Sequence, residues 1–537
     1  MASCVLFVLF CVCLVSGNVL RGNDLYRLDI VHYNDFHARF EETSVDLPIC
    51  PSNDTNCIGG FARLYHSIKR IKDSNPEVLV MNAGDTYQGT YWYTLMKWNI
   101  TQRFINMIPN DVHALGNHEF DDGIPGLAPY VRSLKAPVVA ANLITPIDSE
   151  LHGLYQPHVV IKKNGRKIGI IGLITTNTQK KLSRAEGVTF LDPIPVVENE
   201  ARLLTEKGVD IIVVLSHCGL NVDKEIAKQV GANIDVIVGG HSHSLLWNGE
   251  APSKEKVAGP YPVLVESDTK PDHKVLIVTA ACFSKYIGNM SVFFDERGDL
   301  QYFEGSPIFL NRSIPEDPKI VSLLRPYKER LHKMVNQVIG YSKENLVMEA
   351  CGSGECMLGN LVADAILNIT NELYPSNLPS ISFVQRNTIR APMPKGVITK
   401  ADVINMSPFT NIVVTFVIPG KYILDVLQAS VKNPWVAKPY KGPYTPMVSG
   451  VRLTINTTST EVLEAVVTAG GENKELNPDQ EYQFTTYDFL ANITFTNLKK
   501  YGRNFKNVGT DAEVIEQYIR KASPISPYLD NRLTLVS

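Results

Sequence analysis

Five short polar clusters, each at the end of an apolar run or in its exit turn, constrain this chain more than any other feature. Apolar runs such as 28–33, 78–81, 211–215 and 236–238 have the length and composition of buried strands. Helical patterns separate them, which is typical of parallel strands covered on both faces. Because the loops at the carboxyl ends of such strands meet in one crevice, residues remote in sequence can share a ligand there. The sequence therefore predicts an α/β fold with one composite site. The clusters are Asp35–His37, Gly84–Asp85, Gly116–Asp121, Ser216–His217 and Gly239–His243.

The residue types in these clusters predict a site for two divalent metal ions. Asp35 and His37 are two residues apart, so an extended chain would direct both side chains to one ion. Asp85 lies among glycines that permit close approach of the backbone, and its two oxygens can bridge two ions. Imidazole and oxygen ligands without thiolate favour Zn, Mn or Fe, with Ca or Mg less favoured. The other candidate ligands are Asn117, His217, His241 and His243.

A catalytic pair is predicted beside the metal ligands. Two ions about 3.5–4 Å apart form the two-metal site of phosphatases and nucleases, in which they stabilise negative charge on the phosphoryl oxygens and activate water. His118 follows a candidate ligand but would point elsewhere, and Asp121 can orient its other ring nitrogen. A histidine held in this way can stabilise the transferring phosphoryl group or protonate the leaving oxygen. We expect hydrolysis of a phosphate ester or anhydride.

The length of the chain predicts two domains. Its 537 residues exceed what one hydrophobic core usually serves. Residues 319–337 carry apolar side chains at spacings of three and four after two prolines, which indicates an amphipathic helix, and Pro326 predicts a kink in it. The predicted organisation is a first domain at 25–315, a connecting helix at 316–338 and a second α/β domain at 339–537. A net charge of −3 gives no reason to expect a nucleic-acid partner.

Both ends of the chain predict export without a membrane anchor. Residues 1–17 are apolar, uncharged and end in small residues, as in a secretory signal peptide; a membrane anchor is the alternative. Residues 531–537 lack the hydrophobic tail of a lipid-anchor signal. We expect a secreted protein, either monomer or homodimer. Eight Asn-X-Ser/Thr sequons agree with secretion. Glycans are expected at Asn53, Asn99, Asn289, Asn311 and Asn368, and the other sequons begin at Asn405, Asn456 and Asn492.

Cysteine usage agrees with an oxidising compartment. Six cysteines follow the signal peptide. Cys50 and Cys57 bracket one short polar loop and Cys351 and Cys356 another, and a disulfide is expected across each. The remaining two, Cys218 and Cys282, lie in apolar surroundings and are expected to be buried thiols, with a metal-ligand role for Cys218 as the alternative.

These motifs resemble those of the animal 5′-nucleotidase family, metallophosphoesterases that include ecto-5′-nucleotidase and the secreted salivary apyrases of blood-feeding arthropods. The resemblance covers nearly the whole mature chain. It implies an N-terminal four-layered α/β/β/α metallophosphoesterase domain and a C-terminal α/β 5′-nucleotidase domain, joined by a helix. The matching runs are Asn34–His37, Asn82–Gly89, Leu115–Asp121, Ser216–His217, Gly239–His243, Ile314–Pro318, Glu355–Leu361 and Phe489–Asn492.

The resemblance also implies roles for individual residues. His118 and Asp121 would be the catalytic pair, and Phe409 and Phe489 would hold the nucleobase between them. The metal ligands would form two sets, Asp35, His37, Asp85 and His243 for one ion and Asp85, Asn117, His217 and His241 for the other. The substrate-binding candidates are Gln385, Arg390, Phe409 and Phe489.

Departures from the family pattern lie in the C-terminal domain. Residues 385–388 replace a glycine-rich run before Arg390, and Gly352 stands where relatives carry an arginine, for which Arg386 is a possible substitute. Residues 493–497 replace a segment that contains a ribose-binding aspartate. Recognition of base and ribose is therefore expected to differ from that of relatives, whereas the metal site is complete.

The function implied by the resemblance is that of a secreted apyrase. Such an enzyme hydrolyses ATP and ADP to AMP and phosphate, and so suppresses ADP-driven platelet aggregation during blood feeding. One alternative is a 5′-nucleotidase that converts AMP to adenosine, and another is a non-catalytic relative that binds a nucleotide or a receptor. The expected partners are nucleotides, with host platelets affected indirectly.

Overall fold

The computed structural model describes residues 25–44, 50, 56–178, 187–352, 354–432, 446–468 and 473–537. The predicted signal peptide at 1–17 and the sequon residue Asn53 lie outside the described residues.

Two β-sheets packed face to face form the N-terminal domain. In the first, the order is β16-β15-β1-β2-β3-β4 with β17 beside β15, and β1 to β4 are parallel. In the second, the order is β13-β14-β10-β9-β7-β6, and β14, β10, β9 and β7 are parallel. The strands are β1 Tyr26–Tyr33, β2 Leu79–Asn82, β3 Val112–Ala114, β4 Val138–Val139, β5 Leu143–Ile144, β6 His158–Lys163, β7 Arg166–Ile174, β8 Thr189–Phe190, β9 Ile211–His217, β10 Val236–Gly239, β11 Leu245–Leu246, β12 Val257–Gly259, β13 Val263–Glu266, β14 Lys274–Val278, β15 Tyr286–Phe294, β16 Leu300–Gly305 and β17 Ile308–Phe309.

Helices cover both outer faces of this pair of sheets. Alternate residues of β1, such as Leu28 and Ile30, pack against the second sheet, whereas Val31 and Tyr33 face helices. Because each parallel strand buries both faces, near-continuous apolar runs are what the layers require. The predicted α/β/β/α arrangement is confirmed. The helices of this domain are α1 Phe61–Ser74, α2 Tyr91–Ile105, α3 Gly123–Ser133, α4 Pro193–Glu206 and α5 Leu220–Val230.

A single helix, α6 Pro318–Val335, leads from the first domain to the second. The side chain of Asp317 caps its N-terminus by accepting hydrogen bonds from the backbone N–H groups of Lys319 and Ile320. The helix runs without interruption through Pro326, and buried residues such as Leu331 pack it against the first domain.

The C-terminal domain is a second α/β unit. Its five-stranded sheet has the order β22-β19-β26-β21-β27, and a smaller sheet has the order β25-β24-β23-β28. The strands are β18 Val338–Ser342, β19 Ser380–Val384, β20 Gly396–Thr399, β21 Ile412–Pro419, β22 Met447–Ser449, β23 Val451–Asn456, β24 Glu461–Val467, β25 Lys474–Glu475, β26 Glu481–Tyr487, β27 Arg503–Thr510 and β28 Leu533–Val536. The helices are α7 Met357–Leu373, α8 Lys400–Met406, α9 Gly420–Lys432, α10 Thr496–Tyr501 and α11 Asp511–Ala522.

The end of α8 and the residues after it pack on α2 of the first domain. The Thr94 hydroxyl donates to the carbonyl of Pro408 at 3.1 Å, and the side-chain oxygen of Asn405 accepts from the backbone N–H of Tyr91 at 3.4 Å. Asn405 is buried by this contact, so its sequon offers no open site on the folded surface. The segment that follows includes Phe409, whose ring stacks on the ring of His118 in the first domain.

The cysteines pair as predicted. Disulfides join Cys50 to Cys57 and Cys351 to Cys356, while Cys218 and Cys282 are buried free thiols. In the part of the chain that the structure describes, no helix has the length and apolarity needed to span a bilayer.

Candidate active site

The polar clusters meet where the parallel strands of both sheets end. Asp35 and His37 follow β1, Asp85 follows β2, His217 ends β9, and the Gly239–His243 segment leaves β10. The sequence predicted one crevice at the edge of an open sheet; the crevice found lies at the joint carboxyl edge of two stacked sheets. Residues from opposite sheets therefore come within contact distance of one another.

The backbone reason predicted for the pairing of Asp35 with His37 is wrong. Neither residue is extended, since their φ angles are 49° and 50°, in the left-handed region that non-glycine residues seldom adopt. Hydrogen bonds to the next strand's loop hold this turn, from the Asp35 N–H to the carbonyl of Gly84 and from the His37 N–H to that of Asp85, both at 3.0 Å. Asp85, His241 and His243 also have positive φ. Backbone strain of this kind is common at functional sites.

The candidate ligands form two adjoining groups, Asp35 with His37 and His243, and Asp85 with His217 and His241. In the first, Nε2 of His243 lies 3.1 Å from Nε2 of His37 and 3.3 Å from Oδ1 of Asp35. In the second, Nε2 of His217 lies 3.0 Å from Oδ2 of Asp85. The same Asp85 oxygen lies 3.7 Å from Nε2 of His37, so Asp85 stands between the groups.

The surroundings of these side chains fit divalent metal ions. Nδ1 of His217 lies 2.7 Å from the carbonyl of Ala83, and Nδ1 of His37 lies 3.1 Å from that of Tyr87, which fixes the rings with Nε2 toward the site. The Asn117 side chain is 1% exposed, and neither its oxygen nor its nitrogen has a hydrogen-bond partner among the described residues. A buried amide without a partner is costly, and a cation would satisfy its oxygen.

Close backbone packing also shapes the site. A Cβ atom on Gly116 would overlap the carboxylate of Asp85, and one on Gly84 would overlap the backbone of Gly116. The loops after β2 and β3 can therefore touch only because both positions are glycine.

Carboxylates and imidazoles in the site shift one another's pKa values. Burial lowers the pKa of His217, but Asp85 and Asp35 outweigh burial and raise it to about 9. Burial raises the pKa of Asp35, but His243 and His217 lower it to about 2. Histidine ligands bind metal in the neutral form, so metal ions would replace these protons.

His118 and Asp121 form a hydrogen-bonded pair at the mouth of the site. Nδ1 of His118 lies 2.7 Å from Oδ2 of Asp121, which directs Nε2 outward. The backbone N–H of His118 donates to Oδ1 of Asp85 at 2.8 Å, which ties the pair to a candidate metal ligand. The ring meets that of His37 edge to face, with 5.2 Å between centroids.

Glu119 has a structural role that sequence reasoning missed. Its carboxylate accepts four backbone N–H groups, those of Asp85 at 2.9 Å, Thr86 at 2.6 Å, Tyr87 at 3.1 Å and Gly116 at 2.6 Å. Burial raises the pKa of the Glu119 carboxyl, and donors such as the Gly116 and Tyr87 amides oppose that rise. The residue joins the two loops that carry Asp85 and Asn117. Its place between His118 and Asp121 was the only available sequence signal.

The loop after β14 is a second contributor that sequence reasoning missed. Asn34 binds it by donating to the carbonyl of Ala281 at 2.6 Å and accepting from the N–H of Ala280 at 2.9 Å. The Phe283 ring of this loop contacts the rings of His37 and His243 edge to face. The sequence offered no polar cluster there, only a strand-like run around Cys282.

The C-terminal domain brings two of its four predicted substrate residues to His118. Nη2 of Arg390 lies 3.4 Å from Nε2 of His118, and the Phe409 ring stacks on the His118 ring at 5.6 Å between centroids. Phe489 stacks instead on Tyr487, and the buried Gln385 begins the short 3₁₀ turn Arg386–Thr388. Among the described residues no ring contact joins Phe409 to Phe489.

Comparison with known proteins agrees with this geometry. Residues 28–245 match the calcineurin-like phosphoesterase family, and residues 338–499 match the 5′-nucleotidase C-terminal domain. Fold and site thus define a metallophosphoesterase, a class whose members use two divalent metal ions. Over 536 residues the chain is 38% identical to an apyrase of Tabanus yao, covering 97% of this chain and 95% of the relative. Over 396 residues it is 37% identical to a 5′-nucleotidase of Homo sapiens, covering 72% and 68%.

The similarity extends to a solved structure. A crystal structure of a 5′-nucleotidase precursor from Thermus thermophilus superposes with a TM-score of 0.84 and 31% identity, covering 95% of this chain and 100% of that one. The chain belongs to the 5′-nucleotidase family of metal-dependent nucleotide phosphohydrolases, as its motifs predicted.

Proposed function

We propose that this chain is a secreted apyrase that hydrolyses ATP and ADP to AMP and phosphate. The observation that carries the proposal is the position of His118. It is held by Asp121, stands next to both metal-ligand groups, and is approached from the other domain by Arg390 and Phe409. Metal chemistry, proton transfer and nucleotide binding are thus united at one point.

In this proposal Asp35, His37 and His243 would hold one Zn or Mn ion, and Asp85, His217, His241 and Asn117 would hold the other. When bound, the ions supply Lewis-acid stabilisation of negative charge on the phosphoryl oxygens. The donor set supports this assignment, since imidazole nitrogen with carboxylate and amide oxygen suits these metals better than Ca or Mg.

His118 provides the proton chemistry. With Nδ1 engaged by Asp121, Nε2 is the atom available to donate a hydrogen bond to the phosphoryl group or a proton to the leaving oxygen. Asp121 fixes the ring orientation by accepting from Nδ1. For ADP the β-phosphorus is attacked and the leaving group is AMP, whose α-phosphate keeps the bridging oxygen of the anhydride, so the demand for proton donation is modest and charge stabilisation dominates.

The nucleotide is held by the C-terminal domain. Arg390 offers a guanidinium that matches a phosphate in geometry and charge, and Phe409 offers a ring face to the base. Phe489 and Gln385 are the further candidates, and they would reach the ligand only if it extends toward Tyr487 and the 3₁₀ turn.

The choice of apyrase over 5′-nucleotidase is supported by the Tabanus yao relative. That protein is named apyrase, and the match covers 95% of its length. Removal of ADP would suppress ADP-driven platelet aggregation. The second candidate, a 5′-nucleotidase acting on AMP, is favoured by the human and Thermus thermophilus proteins of that name. Secretion is supported by the apolar, uncharged segment at 1–17.

The test is phosphate release from ATP, ADP and AMP by purified protein with Mn²⁺ or Zn²⁺. We expect ATP and ADP to be hydrolysed, and His118→Ala to lower the rate at least about a hundredfold, as for loss of a general acid. His158→Ala is the matched control. His158 lies on the edge strand β6, and its Nδ1 pairs with a carboxylate, that of Glu200, at 2.6 Å, just as Nδ1 of His118 pairs with Asp121. Hydrolysis of AMP alone would replace the apyrase proposal by the nucleotidase one, and activity that survives His118→Ala would refute both.

A further inference from the structure

Arg39 occupies an unusual position beside the metal ligands. It lies two residues after His37, is 3% exposed, and places its guanidinium carbon 4.4 Å from the centroid of the Phe283 ring. Nη1 donates to the carbonyl of Gly89 at 2.9 Å, whereas Nε has no hydrogen-bond partner among the described residues. The side chain lines the cleft between the domains together with His37, Gln88, Arg390 and Phe409.

The Arg39 guanidinium has no carboxylate as a counter-ion among the described residues. Three arginines of the described chain are buried, namely Arg39, Arg63 and Arg532. Arg63 pairs with Glu42 at 2.9 Å, and Arg532 pairs with Asp364 at 2.7 Å and Asp530 at 2.8 Å. In the described part of the protein, no carboxylate lies within 4.0 Å of the Arg39 guanidinium. An unpaired buried charge is costly, and stacking on Phe283 offsets only part of that cost.

A second guanidinium faces the same cleft. Arg390 stacks over Phe409, with 4.9 Å from its guanidinium carbon to the ring centroid, and it too has no carboxylate within 4.0 Å among the described residues. Burial lowers the pKa of Arg39, and the positive charge of Arg390 lowers it further, so the two cations repel one another. A cleft that holds two such groups is built for an anion that carries more than one charge.

The two arginines are at different distances from the reacting centre. Arg390 touches His118 and can therefore reach the phosphoryl group that is attacked. The Phe283 ring contacts the Arg39 guanidinium and also the rings of the candidate ligands His37 and His243, so Arg39 lies one side chain away from the ligands. A phosphate bound by Arg39 is accordingly one group further along the substrate.

We propose that Arg39 binds the phosphate next to the one that is hydrolysed, so that this cleft is a diphosphate site. The inference rests on the proposed function and names the group that lets the enzyme favour ADP and ATP over AMP. AMP has one phosphate and gains nothing from Arg39. ADP and ATP each present a neighbouring phosphate whose oxygens can accept a hydrogen bond from the Nε–H, which has no partner among the described residues.

The experiment compares Arg39→Met with the wild type on ADP and on AMP. Methionine retains much of the volume and the contact with Phe283 but removes the charge. We expect kcat/KM for ADP and ATP to fall about ten- to a hundredfold, the usual effect of losing a charged hydrogen bond, and kcat/KM for AMP to change less than about threefold. Arg63→Met is the matched control, since it removes a buried arginine whose partner is Glu42, and it should leave the ratio of ADP to AMP hydrolysis unchanged. Equal losses for ADP and AMP in Arg39→Met would overturn the proposal.

A binding measurement keeps the proposal independent of turnover and of the folding of one variant. By calorimetry with Mn²⁺ present, the wild type should bind inorganic pyrophosphate at least about tenfold more tightly than orthophosphate, and Arg39→Lys should reduce that preference because lysine lacks the forked donors. If the wild type shows no preference for pyrophosphate, the site is refuted whatever the variants do. If pyrophosphate binding depends on Arg39 while ADP is not hydrolysed, the apyrase proposal fails and this one stands.

Discussion

Replacing Glu119 by glutamine should loosen the loops that carry the metal ligands. The carboxylate of Glu119 is 1% exposed, and each of its two oxygens accepts two backbone N–H groups. A glutamine of the same shape keeps one oxygen, so two of the four donors would face an NH₂ group that cannot accept. Hydrogen bonds to a charged group are worth about 1.5–3 kcal/mol each, which gives a loss of about 3–6 kcal/mol.

A loss of that size is a large part of the stability of a typical domain, which is about 5–15 kcal/mol. Its effect should concentrate at the site, because the donors belong to Asp85, its two successors and Gly116. We expect Glu119→Gln to lower the urea midpoint of the metal-free protein and to weaken Mn²⁺ binding at least about tenfold by calorimetry. Glu266→Gln is the control, since that side chain is 78% exposed.

The reasoning would be refuted by a Glu119→Gln protein whose free energy of unfolding lies within about 1 kcal/mol of the wild type, less than one charged hydrogen bond. A stable variant with weak metal binding would instead place the role of Glu119 in loop geometry alone. Unfolding and calorimetry must therefore both be measured.

Three further outcomes are expected. Gly116→Ala should abolish metal retention by elemental analysis, because a Cβ there overlaps the Asp85 carboxylate, whereas Gly354→Ala, with its nearest atom at 3.8 Å, should not; full metal content in Gly116→Ala would contradict this. Burial raises the pKa of Asp235 to about 7, so the folded protein is stabilised while this carboxyl is protonated, and that contribution is lost as pH rises from about 4 to about 7. Asp235→Asn should lack this decline. The difference in free energy of unfolding between wild type and Asp235→Asn, measured by urea unfolding, should therefore change by up to about 4 kcal/mol between pH 4 and pH 8. A difference independent of pH would refute it. The Thr101 hydroxyl is buried without a partner among the described residues, so Thr101→Val, made without glycosylation, should equal or exceed the wild type in thermal stability. Made in secretory cells, the same variant should lack the glycan at Asn99, as checked by mass spectrometry. A melting temperature below that of the wild type would count against this reading.

The sequence by itself determined the fold class, the family and the types of ligand. Runs such as 211–215 are too apolar to lie anywhere but inside a covered sheet, and a polar cluster at the end of such a strand has to emerge at its carboxyl edge. The spacing of His118 and Asp121 was sufficient to predict their contact, because residues three apart in a tight turn are neighbours.

The remaining features were decided by tertiary structure. Asp35 and His37 share a site through a left-handed turn held by the Gly84 and Asp85 carbonyls, not through strand alternation. The roles of Glu119, Arg39 and Phe283 depend on partners from other strands and, for the cleft, from the other domain. Local pattern reports which residues leave a strand, but a hydrogen bond or an unpaired charge is a property of two positions brought together by packing. For that reason the chemistry of this site could be inferred from its residue types, but the contacts and hydrogen bonds between those residues could not.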